Sequence, residues 1–247
     1  MMNSTSVQFR LVPRAELSPA QKAEMFQLLT QHFSGVSPEQ FARDLAEKNL
    51  ALLLERQEKL VGFSTLLAYS TTFEENPVNI IYSGDTIVTP EAWGTTALPR
   101  AWVAGVEALR SRLPPGECFW LLLTSGFRTY RFLPVFWRQF FPRFDMSTPP
   151  HLQRLLDQVA VDRFGTQFNP DTGVVCFKNP QRLRHGLQIV PEGRETNAHV
   201  SFFLSRNPGH ADGDELVCLT ELSAQNLTAA GRRMMCPQTD ATRANCC

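Results

Sequence analysis

The chain has 247 residues, 43% of them hydrophobic and 19% charged, enough for one large domain or a core with a substantial extension. Lysine plus arginine and aspartate plus glutamate both number 24, so composition offers neither the basic field of a nucleic-acid binder nor the acidic excess of a solvating tail. No apolar run reaches the roughly 20 residues that cross a bilayer, residues 1–6 lack the basic and apolar blocks of a secretory leader, and the six cysteines form no C-x-x-C pair, which together predict a reducing, cytoplasmic setting without a metal site or disulfide framework.

Residues 7–11 alternate with a period of two and predict a half-buried strand. Ser18-Pro19 opens a helix that runs through Phe33, with Met25, Leu28, Leu29 and Phe33 on its apolar face and Gly35 closing it. Ser37-Pro38-Glu39-Gln40 repeats the start signal for a second helix carrying Phe41, Leu45 and Leu50. Residues 50–56 and 60–69 read as strands joined by a tight turn at Gln57-Glu58-Lys59, and 71–77 as a loop holding Glu74 and Glu75.

The most informative stretch is 78–113. It opens as a strand rich in β-branched and aromatic residues (Ile80, Ile81, Tyr82, then Thr86, Ile87, Val88), stops at Pro90, and resumes after Gly94 with helical composition. A helix starting at the small residues Gly94, Thr95 and Thr96 presents unpaired amides and the positive end of its dipole, which suit a phosphate. The alternative is an ordinary turn capped by Thr95 or Thr96.

Pro114-Pro115-Gly116 then turns the chain into 118–124, a nearly all-apolar strand expected to be buried on both faces beside a parallel neighbour. Residues 127–141 read as an aromatic-rich helix that includes Pro134. Its interleaved Arg128, Arg131 and Arg138, with Arg143 just beyond, suit a solvated snorkelling edge better than a nucleic-acid surface in a neutral chain. Further on, Ser147-Thr148-Pro149-Pro150 starts a helix through Phe164. Residues 174–177 and 200–204 read as short strands, 214–222 as another apolar run, 226–235 as a last helix and 236–247 as a frayed tail.

Val88-x-Pro90-x-x-Trp93-Gly94-x-Thr96-Ala97 resembles the pyrophosphate loop of the GNAT superfamily of acyl-CoA N-acyltransferases, roughly V-x-P-x-x-R/Q-G-x-G/A. The order βααβββαβα from Val7 to about Phe144 is similar to that family's core. Trp93 stands where the family has Arg or Gln, Thr96 and Leu98 where Gly is common, and Phe136 where its last helix carries a catalytic Tyr.

The resemblance implies an α/β (α+β) fold with a mixed, mainly antiparallel, splayed sheet flanked by helices. Residues 1–146 would form the acyltransferase core, 147–235 a smaller α+β extension packed on it, and 236–247 a flexible tail. The implied reaction is direct attack of an amine acceptor on acetyl-CoA or another acyl-CoA, without a metal. Ile87, Val88, Trp93, Gly94, Thr95, Thr96 and Ala97 would hold the co-substrate.

An amine nucleophile must lose a proton, and Asp85 is the first candidate base. The competing reading has it pairing with an arginine or capping a loop. Tyr130 is the candidate acid, with a core role as its alternative. Glu74, Glu75, Tyr82 and Phe136 are candidate acceptor contacts, although surface solvation explains the two glutamates equally well. His210 is read as a loop histidine and Cys118 as core. Two alternatives stay open: a long-chain donor, from CoA or acyl carrier protein, in a tunnel of Phe132, Phe136, Trp137, Phe140 and Phe141; and a non-catalytic binding module, favoured if Trp93 fills the groove beside Gly94. A homodimer is compatible with each. No G-x-S-x-G, Walker loop or H-E-x-x-H occurs.

Overall fold

The computed structural model describes residues 6–184 and 186–235; the remaining N-terminal residues, His185 and the segment read as a tail lie outside the described residues. The chain forms β1 (Gln8–Pro13), α1 (Pro19–His32), β2 (Phe33–Ser34), α2 (Pro38–Ala46), β3 (Leu50–Arg56), β4 (Lys59–Phe73), β5 (Asn76–Val88), α3 (Ala97–Arg110) and β6 (Glu117–Thr124). There follow α4 (Phe127–Tyr130), α5 (Phe132–Phe136), α6 (Pro150–Phe164), β7 (Phe168–Asn169), β8 (Val174–Val175), β9 (Arg182–Leu183), α7 (Ala198–Arg206), β10 (Glu215–Glu221) and α8 (Ala229–Met235). No helix among the described residues is long and apolar enough to cross a membrane.

The sheet is mixed, mainly antiparallel and splayed. Its order is β1-β3-β4-β5-β6-β10-β8-β7, and only β5 and β6 run parallel. Strand alternation sorts side chains between two layers. Leu50, Leu52, Leu54, Ile81, Trp120 and Leu122 face α3 and the C-terminal helices. On the opposite face Ala51, Leu53 and Phe63 meet α1 and α2, while Ile80, Phe119 and Leu121 meet Leu155, Leu156 and Val159 of α6. Every β6 residue from Cys118 to Thr124 is buried, as its unbroken apolar run predicts. Ser18 caps α1 in a full capping box, and Gly105 lets α3 lie close on the sheet, since a Cβ there would come within 2.8 Å of Leu52 Cδ2.

Several local expectations are corrected. Glu74 and Glu75 are the two-residue turn of the β4–β5 hairpin, with φ of 45° and 67°, and no longer loop separates these strands. The aromatic helix over 127–141 is broken into α4 and α5, because Pro134 has no N–H to give the Tyr130 carbonyl. Its remainder is extended: Phe141 exchanges backbone hydrogen bonds with Leu219, and the Asn226 side chain bonds both the N–H and the C=O of Gln139. Residues 200–204 are helical, not a strand, because the Asn197 carboxamide accepts from the amides of His199 and Val200 and so starts α7. β10, late in the chain, lies in the same sheet as the N-terminal strands, hydrogen-bonded along β6.

The parallel pairing of β5 with β6 runs from Val78↔Glu117 to Ser83↔Leu122 and ends there. At its last rung the buried Trp120 Nε1 donates to Ser83 Oγ at 2.8 Å, and the Trp120 ring packs on Trp102 and Trp137 at 4.5 and 4.9 Å between centroids. Ser83→Ala strands the indole N–H in this core. It is expected to lower unfolding free energy by about 1–3 kcal/mol, read as a reduced urea midpoint with an unchanged slope.

Candidate active site

Beyond Ser83 and Leu122 each strand keeps a partner only on its outer side. Gly84, Ile87 and Val88 of β5 pair with β4, while Leu123 and Thr124 of β6 pair with β10. Within this free half, Asp85 and Thr86 together oppose the single residue Ser64, a β-bulge on β5. Bulges re-aim side chains, and this one is held by a 2.8 Å hydrogen bond between Ser64 Oγ and Thr86 Oγ1.

Two cavities meet in the gap. One, of about 760 Å³, lies between α2 and α6 over the end of β5 and contains Asp44, Glu47, Lys48, Tyr82, Asp85, Asp162, Arg163 and Glu215. The other, of about 260 Å³, lies beside the β5–α3 turn, where Ile87, Val88, Leu98, Phe127, Phe132 and Leu187 give it an apolar lining. Phe33, Thr86, Ser125, Gly126, Thr129 and Leu183 line both. The C-terminal half closes over this junction: β9 pairs with β2 through Phe33↔Leu183, and Arg184 N donates to His32 O at 2.8 Å.

The larger cavity carries five carboxylates against two cations. Burial raises the Asp85 carboxyl to about 6; neighbouring Lys48 pulls it down and Asp44 pushes it up. Burial first, and then Asp85, raise Glu215 to about 8. Lys48 is itself buried, only 5% exposed, which lowers its pKa against the pull of Asp85. Its ammonium donates to Asp44 O at 3.0 Å and sits 5.2 Å from the Tyr82 ring centre, while Arg163 covers the same ring at 4.1 Å and binds Glu47 at 2.8 Å. Gly84 makes room for this lysine, because a Cβ there would lie 2.8 Å from Lys48 Cε.

Of the residues expected to hold a co-substrate, Ile87, Val88, Trp93, Gly94 and Thr95 line the smaller cavity. Thr96 is the residue before α3 and makes no side-chain cap, and Ala97 is buried in the core. Apart from its chain neighbours Trp93 and Thr95, nothing lies within 4 Å of a Cβ placed at Gly94. Trp93 is itself on the wall of the smaller cavity, and its indole N–H donates to Val88 O at 2.7 Å.

Asp85 and Tyr82 share the larger cavity, whereas Glu74 and Glu75 are at the hairpin tip, Glu74 paired with Arg154 at 2.6 Å. Tyr130 is fully buried and donates to Pro142 O at 2.9 Å, so its hydroxyl is engaged in the core. Phe136 faces α3 and α8 beside Trp102 and Trp137. Among the aromatics considered for an acyl tunnel, Phe132 alone borders the smaller cavity. His210 packs on Phe203, and burial lowers its pKa. No cluster among the described residues could hold a metal ion.

Reading the sequence alone missed Lys48, Arg163, Glu215 and Arg128. Glu215 heads an apolar run, which is a weak local signal, and only the β6–β10 pairing brings it to Asp85.

No protein-family model matches the chain, and no curated protein matches it. Solved structures similar to it include an acyl-CoA N-acyltransferase from Pseudomonas aeruginosa (17% identity, 47% of this chain and 79% of that one, TM-score 0.36). Another is the GNAT family N-acetyltransferase YhbS from Escherichia coli in complex with CoA (14% identity, 51% and 68%, TM-score 0.38). A third is an aminoglycoside acetyltransferase from an uncultured soil metagenomic sample (16% identity, 43% and 71%, TM-score 0.33).

Because Glu215 titrates near 8 when folded against an ordinary 4.5, folding favours its protonated form. That contribution is complete below about pH 4.5 and is lost as pH rises through about 8. Glu215→Gln, which keeps the neutral shape, is expected to raise Tm relative to the parent above pH 8 and to leave it unchanged near pH 4.5, as followed by calorimetry across that range.

Proposed function

We propose that this chain is a divergent GNAT-superfamily acyltransferase that moves an acyl group from acyl-CoA to a small amine by direct attack. The observation that carries this reading is the meeting of an apolar cavity and a carboxylate-rich cavity where β5 and β6 part. The pantetheine arm would run along Ile87, Val88 and Leu98, with the thioester between Thr86 and Ser125 and the diphosphate at Gly94, Thr95 and the first amides of α3. The cavity that remains beside Gly94 with Trp93 on its wall favours a binding site over an occluded, non-catalytic fold.

The acceptor would enter the larger cavity as an ammonium ion, drawn by the excess of carboxylates. Asp85, directly or through a water, takes its proton. The neutral nitrogen then attacks the thioester carbon, the C–N bond forms, the C–S bond breaks, and the thiolate leaves and is protonated. Direct attack fits the cysteines: none of the described ones lines either cavity, and burial raises Cys118 to about 11.

The test is calorimetric titration with acetyl-CoA, followed by thiol-release assays over a panel of amines. Asp85→Asn is expected to lower kcat/KM by about 10²–10⁴-fold with acetyl-CoA affinity retained. In the parent enzyme activity falls as pH drops through about 6, where Asp85 gains its proton, and the variant loses that limb. Absence of acyl-CoA binding by the parent protein would overturn the reading.

A further inference from the structure

The residues of the β5–α3 turn that border the smaller cavity, Ala92 to Thr95 with Leu98 and Pro99, carry no charged side chain to meet an anion. Trp93 occupies the position where the resembling motif has a cationic or polar side chain, Thr95 Oγ1 is already donating to Ala92 O at 3.0 Å, and Pro99 removes one donor from the first turn of α3. A diphosphate held there by backbone alone would lack a counter-ion.

A cation reaches the same cavity from elsewhere in the chain. Arg128, just after β6, borders the cavity together with Gly94 and Thr95. Its guanidinium carbon lies 4.5 Å from the Trp93 ring centre and 4.6 Å from that of Phe127. Nη1 donates to Leu187 O at 2.6 Å, which leaves most of the five N–H groups of the fork uncommitted to a hydrogen bond among the described residues. No carboxylate among the described residues forms an ion pair with it, and Arg194 adds a second positive charge nearby. Trp93, 42% exposed despite its size, is thereby the platform on which the guanidinium is stacked.

We propose that Arg128, seated on Trp93 and Phe127 and tethered to Leu187, is the residue that neutralises the diphosphate of acyl-CoA, replacing in space the side chain that the turn lacks at position 93. The inference rests on the acyl-CoA reading above. Stacking and the Leu187 carbonyl fix the fork before the ligand arrives, so little side-chain freedom is left to lose on binding. The C-terminal segment thus acts at the co-substrate end of the site as well as at the junction.

Calorimetric titration with CoA and with pantetheine, which carries the thiol arm and no phosphate, tests this on the full chain. Arg128→Gln is expected to weaken CoA binding on the order of tenfold or more while leaving pantetheine affinity unchanged, and Arg128→Lys to recover part of the loss. Salt should weaken CoA binding less steeply in Arg128→Gln than in the parent. Equal weakening of CoA and pantetheine would assign Arg128 a structural role and overturn the proposal, as would unchanged CoA affinity in Arg128→Gln. Failure of the parent protein to bind CoA at all would instead remove the acyl-CoA reading, and this inference with it.

Discussion

The site depends on the end of a single ladder. β5 and β6 share parallel hydrogen bonds as far as Ser83 and Leu122, and then each is paired only on its far side, with β4 and with β10. Buried backbone groups need partners, so the facing amides and carbonyls of the parted strands form an edge that suits an extended, amide-containing ligand. The bonded Trp120 and Ser83 mark where closure stops, and the bulge at Asp85 and Thr86 begins two residues later. The opening comes from the end of the β5–β6 ladder, and the adjacent bulge takes Asp85 out of the regular strand register.

The two sides of that opening differ in dielectric and in charge. Beside the turn, aliphatic and aromatic side chains leave no carboxylate, and the charged group present is a stacked guanidinium. Between α2 and α6, five carboxylates line one cavity, and burial raises the pKa of three of them, Asp44, Asp85 and Glu215. Burial outweighs the pull of Lys48 on Asp85, and Asp85 in turn raises Glu215. A cation entering such a cavity relieves the repulsion and makes the carboxylates easier to ionise; under the proposed reaction, acceptor binding would thereby favour the basic form of Asp85.

The C-terminal half is inseparable from this arrangement. β10 completes the sheet along β6 and supplies Glu215, β9 pairs with β2 over the junction, and Leu187 holds Arg128. Asn226 takes up backbone groups of Arg138 and Gln139 that a longer helix over 137–141 would have bonded internally. The same aromatic residues that suggest a continuous amphipathic helix are thereby distributed between the core and the wall of a cavity.

Local chemistry in the sequence determined much of the frame. The Ser-Pro helix starts at Ser18 and Ser37, the apolar run of β6, the strand–turn–helix around Gly94 and the lone acid at Asp85 are all short-range signals, because capping, alternation and turn chemistry act within a few residues. Those signals brought Ile87, Val88, Gly94, Thr95, Tyr82 and Asp85 to the two cavities. Glu74, Glu75 and Phe136 border neither cavity: the glutamates are at a hairpin tip and Phe136 is on a packed helix face. Only the tertiary structure joined Asp85 to Lys48 and Glu215, or set Arg128 on Trp93, since these neighbours are brought together by strand pairing and helix packing across long stretches of chain. Charge shifts and cavities arise from what surrounds a residue in space, and no local pattern encodes that surrounding.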